Sequence, residues 1–80
     1  METLLYTKCN QLTIRTVYIA DESTFAVVFE YPNGNMIVVD TFTSALKIIE
    51  RHEDWCKFAN MNEETQIEGN GKLTLLIANA

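Results

Sequence analysis

Alternation of apolar and polar positions is clearest from Thr24 to Tyr31, where Phe25, Val27, Phe29 and Tyr31 fall on one side of an extended chain. Tyr31-Pro32-Asn33-Gly34-Asn35 then reads as a hairpin turn. Proline presets φ at the second position, asparagine suits the third, and Gly34 can take the left-handed conformation of a bulge. Such a turn pairs Tyr31 with Asn35, and counting back pairs Phe29 with Ile37 and Val27 with Val39. Upstream, Leu12 to Ala20 forms a second strand candidate. A tight acidic turn at Asp21 and Glu22 sets Tyr18 opposite Phe25, Thr16 opposite Val27 and Ile14 opposite Phe29. One register satisfies both hairpins, which predicts a meander with Leu12, Ile14, Tyr18, Phe25, Val27, Phe29, Ile37 and Val39 on its core side.

The opposite side of this meander carries Val17, Ile19, Ala26, Val28, Met36 and Val38, with Glu30 and Asp40 toward its ends. A sheet face in water should be polar. This face is expected to be covered by the chain termini or to meet another chain.

The period then changes from strand to helix. Thr43 is the N-cap candidate, and Ala45, Ile48, Ile49, His52, Trp55, Cys56 and Ala59 gather on one arc, opposite Lys47, Glu50, Arg51, Glu53, Asp54 and Lys57. Phe58 falls on the polar side, so the pattern leaves open whether the helix bends, ends early or restarts near Glu53. Residues 60 to 66 read as a loop, Gly69-Asn70-Gly71 as a turn, and Leu73 to Ala78 as a closing strand; Leu4 to Lys8 is a short opening strand. The expected fold is α+β, β-β-β-β-α-β in sequence, with a mostly antiparallel sheet of four to five strands and one main helix packed on one face. No linker or repeat interrupts residues 1–80, which form a single small domain. Strand order does not follow from the pattern.

Charge narrows the partners. Eleven acids against six scattered bases give a net charge of −5, which repels nucleic-acid phosphate, so direct nucleic-acid binding is not expected. No start pattern of a signal peptide and no apolar run long enough to span a bilayer is present, so the expected setting is a reducing cytoplasm with Cys9 and Cys56 as thiols.

The one place for catalysis is His52 with Cys56, one helical turn apart, since an imidazolium can lower a thiol pKa. The plainer alternative puts both in the core, where cysteine acts as a small hydrophobe. The sequence offers no glycine-rich turn before the cysteine and no oxyanion site. As metal ligands they are two where a closed zinc site needs four. Gly69-Asn70-Gly71 lacks the lysine-serine ending of a phosphate loop. The chain is therefore expected to have no catalytic residues, no metal and no cofactor, and to act as a protein-binding module rather than an enzyme.

Candidate contacts are the aromatic helix edge, Trp55 and Phe58; the acidic residues Glu63, Glu64 and Glu68; and the apolar second face, Val28, Met36 and Val38. In size, charge and absence of catalytic machinery the chain looks like the short acidic accessory proteins of phages and mobile elements, anti-CRISPR inhibitors among them. That likeness implies an inhibitor or adaptor docking on a basic, nucleic-acid-handling host complex. The alternative is a self-assembling structural protein, such as a homodimer closed through the apolar sheet face; a Cys/His enzyme ranks below both.

Overall fold

A computed structural model describes residues 2–9, 11–59 and 65–67. Strands β1 (Glu2–Cys9), β2 (Leu12–Ile19), β3 (Thr24–Glu30) and β4 (Met36–Phe42) precede helix α1 (Ile48–Phe58), and β5 (Thr65–Ile67) follows it. The described sheet runs in the order β4-β3-β2-β1-β5, and every adjacent pair is antiparallel. This is the expected α+β architecture. Residues 65 and 66, expected in a loop, instead pair through Gln66↔Tyr6 and Thr65↔Thr7, because the outer edge of β1 supplies ladder partners that local composition does not reveal. The proposed strand at 73–78 lies outside the described residues.

Both hairpins form in the expected register at their turns. Tyr31 N–H donates to the Asn35 carbonyl at 2.8 Å, Gly34 N–H to the Tyr31 carbonyl at 3.0 Å, and Gly34 takes φ +89. The Asn33 side-chain oxygen accepts from Asn35 N–H, fixing the turn from within. Between β2 and β3, a 3-10 turn at Ala20–Glu22 closes on Ser23 in the left-handed region, φ 50. Tyr18↔Phe25, Thr16↔Val27 and Ile14↔Phe29 all hold.

The β3–β4 ladder departs from simple alternation after Val38. Val28 pairs with Val38, but Val27 then pairs with Asp40 and Phe25 with Phe42. One residue, Val39, is inserted as a β-bulge, which reverses the facing of everything beyond it. Asp40, expected on the far side of the sheet, is thereby turned to the helix side. Phe42 comes with it into the core, stacked on Phe25 at 5.6 Å between ring centroids. A second shift between Thr3 and Leu5 in β1 lets both Leu4 and Leu5 be buried.

The helix starts later than the composition suggested. A 3-10 turn occupies Ala45–Lys47, and Ser44, rather than Thr43, stands at its N-cap with no side-chain capping bond. From Ile48 the α-helix continues without a break to Phe58, which resolves the question raised by the polar-side phenylalanine. It buries Ile48, His52 and Cys56 against Leu4, Leu5, Ile14, Val27 and their neighbours, with Trp55 and Ala59 at the margin. Ile49, assigned to the apolar arc, is 44% exposed.

On the far face Val17, Ala26 and Val28 form a smaller buried cluster in the folded chain. Beside it the Arg15 guanidinium lies 5.6 Å from the Tyr6 ring centroid and pairs with Glu30 at 3.3 Å. The apolar residues at the middle of this face are thus not open surface.

Two phenylalanines give a check on this packing. Phe42→Ala should cost about 3–4 kcal/mol, because it empties a core position, whereas exposed Phe58→Ala should cost well under about 1 kcal/mol. Urea unfolding of the two variants would contradict the bulged register if Phe42→Ala proved as mild as Phe58→Ala.

Candidate interaction site beside the edge strand

The interface between helix and sheet has a polar centre. Thr7 on β1 and Thr16 on β2 project toward α1, and His52, fully buried, lies between them. Thr7 Oγ1 is 2.9 Å from Nε2 and Thr16 Oγ1 is 2.8 Å from Nδ1. A neutral imidazole suits this site in either tautomer: its N–H donates to one hydroxyl, and its bare nitrogen accepts from the other. Burial drives the His52 pKa down to about 4.

Cys56, one turn further along, is a buried free thiol. Its pKa is raised, chiefly by burial; a hydrogen bond from Thr7 works the other way, and the nearby Glu53 charge adds to the rise. An activated thiolate–imidazolium pair needs the opposite shifts, a lowered thiol and a raised imidazole. Here both groups are held neutral and out of water. Among the described residues no three His, Cys, Asp or Glu side chains come together as a metal site. Nor is any described helix long and apolar enough to cross a membrane.

The accessible features lie at the margin where α1 meets β4. The bulge turns Asp40 toward the helix, and its Oδ2 accepts from Trp55 Nε1–H at 3.1 Å and from Arg51 Nη1–H at 3.3 Å. These bonds tie the last buried turns of the helix to the edge strand. The Trp55 ring meets Phe29 edge-on at 5.8 Å and Phe58 at 5.2 Å. Phe58, three residues beyond Trp55, therefore falls on the same β4-facing flank. Asp40, Arg51, Asp54, Trp55 and Phe58 line an open cleft of about 290 Å³.

Next to this cleft, β4 is an edge of the described sheet. Met36, Ile37 and Val38 are 52%, 52% and 58% exposed, and Phe58 is 77% exposed. Ile37, expected in the core, pairs correctly with Phe29 but lies beyond the end of the helix cover, so its side chain remains in water. Met36 and Val38 lie on the far face of the same strand.

The expected contact residues are thus divided. Trp55 and Phe58 sit together at the cleft, with Trp55 half-buried as part of the core margin. Met36 and Val38 are open on the adjacent strand. Val28 is only 3% exposed and has no side-chain surface to offer while the chain is folded. Glu63, Glu64 and Glu68 lie outside the described residues. Asp40, Arg51 and Ile37 were not singled out by sequence reasoning. Ile37 had a signal, its place close to the hairpin turn; Asp40 had none, because only the bulge brings it to the helix.

Comparison with family models, with curated proteins and with solved structures finds no match for the chain. What the site does must therefore be argued from its own geometry.

The buried histidine carries a pH dependence. An unfolded histidine titrates near 6.5 while folded His52 stays neutral to about 4, so below 6.5 the unfolded chain binds the extra proton and folding weakens. The contribution is fully present above the unfolded pKa and lost as pH falls toward 4, in total about 3 kcal/mol. Urea midpoints between pH 7 and pH 4 should fall accordingly, and in a folded His52→Gln variant that part of the slope should vanish. An unchanged slope in the variant would assign the acid sensitivity to other groups.

Proposed function

We propose that this chain is a non-enzymatic protein-binding domain that docks on a partner through the open edge of β4 and the Trp55–Phe58 flank of α1. The observation that carries this reading is the exposure of Phe58 in a cleft walled by Asp40 of β4, the edge strand that also exposes the consecutive apolar residues Met36, Ile37 and Val38. Apolar surface gathered in this way costs solubility and favours aggregation unless a partner covers it. The neutral, buried state of His52 and Cys56 supports binding over thiol chemistry. Within the binding class we place the chain as a small acidic adaptor or inhibitor of a larger complex. Its charge of −5 would draw it toward a basic surface, with the apolar site supplying the close contact.

A second reading is favoured by the same strand: an exposed apolar edge can pair with another copy of itself. Light scattering behind size exclusion, over a concentration series at low and high salt, separates the two. The adaptor reading expects a monomer throughout; a dimer that survives high salt would favour self-assembly.

Trp55→Ala is a poor probe of binding, because Trp55 also holds Asp40 and packs on Phe29. Phe58 has the exposure that a clean test needs. With a partner captured from lysate and then purified, Phe58→Ala should weaken binding by about 2 kcal/mol, roughly thirtyfold, while leaving the thermal midpoint nearly unchanged. Undiminished affinity in a folded Phe58→Ala, Ile37→Glu double variant would move the docking surface elsewhere.

A further inference from the structure

We propose that the partner of this surface enters as an added β-strand on the outer edge of β4, which no strand among the described residues occupies. The segment it takes is extended, apolar at alternate positions and carries a basic side chain. It hydrogen-bonds to the backbone of Met36 and Val38 and places one apolar side chain in the cleft beside Trp55 and Phe58. This rests on the reading of the surface as a protein-binding site and specifies how the partner is held.

The backbone pattern of the hairpin sets which groups are available. Tyr31 N–H donates to the Asn35 carbonyl, so Asn35 turns its peptide groups toward β3, as does Ile37 two residues on. By the same alternation Met36 and Val38 turn their N–H and carbonyl groups outward, to the side where the described sheet has no further strand. Natural edges are usually guarded by a charge, a proline or a bulge. From Met36 to Val38 none of these is present; the guard comes only afterwards, at the Val39 bulge, with Asp40 already turned to the helix.

That stretch is short, so backbone pairing needs a side-chain anchor. The anchor site is next to it. An added strand continues the pleat of β4, and side chains beside Ile37 point to the helix face, toward the cleft of about 290 Å³. Side chains on its other face meet Met36 and Val38, both more than half exposed. Apolar neighbours thus await an incoming strand on both faces, an arrangement used where peptides add to a sheet beside a helix.

Charge decides between a foreign segment and a second copy. In the cleft wall Asp40 is met by Arg51, while Asp54 has no ion pair among the described residues. A basic side chain at the cleft mouth complements Asp54 and the overall charge of −5. A second copy brings another −5 and another Asp54 to the same edge.

The test is selection of binders from a random decapeptide library against the full chain, followed by anisotropy with the best peptide, resynthesised and labelled. Selected sequences should alternate apolar residues and include lysine or arginine. N-methylating one set of alternate peptide amides should weaken binding about tenfold or more, and the other set should be tolerated. Val38→Pro, which removes an outward N–H, should weaken binding similarly with the circular dichroism unchanged. If both methylated peptides bind like the parent while Phe58→Ala still weakens binding, strand addition is wrong and the docking site stands. If Phe58→Ala and Ile37→Glu also leave affinity unchanged, both readings fall. Acidic consensus peptides, a library that yields no binder, or a dimer abolished by Val38→Pro would each overturn the proposal.

Discussion

The position of the helix depends on His52. It reaches from α1 to Thr7 on β1 and Thr16 on β2, one hydroxyl on each ring nitrogen, within an apolar core that includes Leu4, Leu5, Ile14, Val27 and Ile48. Apolar contacts alone would tolerate sliding of the helix along the sheet. A buried imidazole does not, because losing either partner leaves a polar nitrogen unsatisfied in a site closed to water. Among the described residues every buried side-chain nitrogen and oxygen has a partner, so the polar centre carries no residual penalty. Its cost appears only when the ring must take up a proton.

With His52 fixed, the rest of the helix follows by its period. Trp55 is carried over Phe29, one residue short of a full turn from His52, and its N–H finds Asp40. Phe58, three residues further, has passed the end of the sheet cover and stands in solvent. Small residues also belong to this core, Ala45 and Cys56 buried in it and Ala59 at its margin. The aromatic flank is thus set by the geometry of a short helix anchored at its middle. The bulge in β4 completes the arrangement from the other side, since without Val39 as an extra residue neither Asp40 nor Phe42 would face the helix.

Much of this was legible in the chain. Alternation and turn chemistry placed both hairpins in register at their turns, and the apolar arc read from the helical period contains the buried row Ile48, His52 and Cys56 together with Ile49, which is exposed. The bulge was not legible, because strict alternation through Val38, Val39 and Asp40 fits an unbulged strand equally well. What decides is a tertiary gain, Phe42 entering the core against Phe25 and Asp40 reaching Trp55 and Arg51. The same limit hid β5, whose three residues gain their stability from the edge of β1. Of the candidate site, the aromatic pair and two apolar strand positions could be found by period and composition. Val28 could not be sorted from Met36 and Val38, because all three share one face and only burial of the strand centre separates them.

The division between the two ends of β4 explains why open apolar surface gathers where it does. Beyond the bulge the strand is engaged: Asp40 is tied to the helix and Phe42 is buried. Before the bulge, among the described residues, it is paired on one side only, and its apolar side chains have no helix above them. Among the described residues one short helix cannot cover a five-strand sheet to both edges, so some apolar strand surface stays open. In a protein under no demand to bind, charged residues at Met36 to Val38 and a polar residue at Phe58 would remove the hazard at little cost in stability, since none of these side chains is buried. Their apolar character therefore contributes little to the fold. It does supply contact area and anchor points beside a cleft, and that is the physical basis for proposing this edge, rather than the closed histidine–cysteine core, as the docking surface.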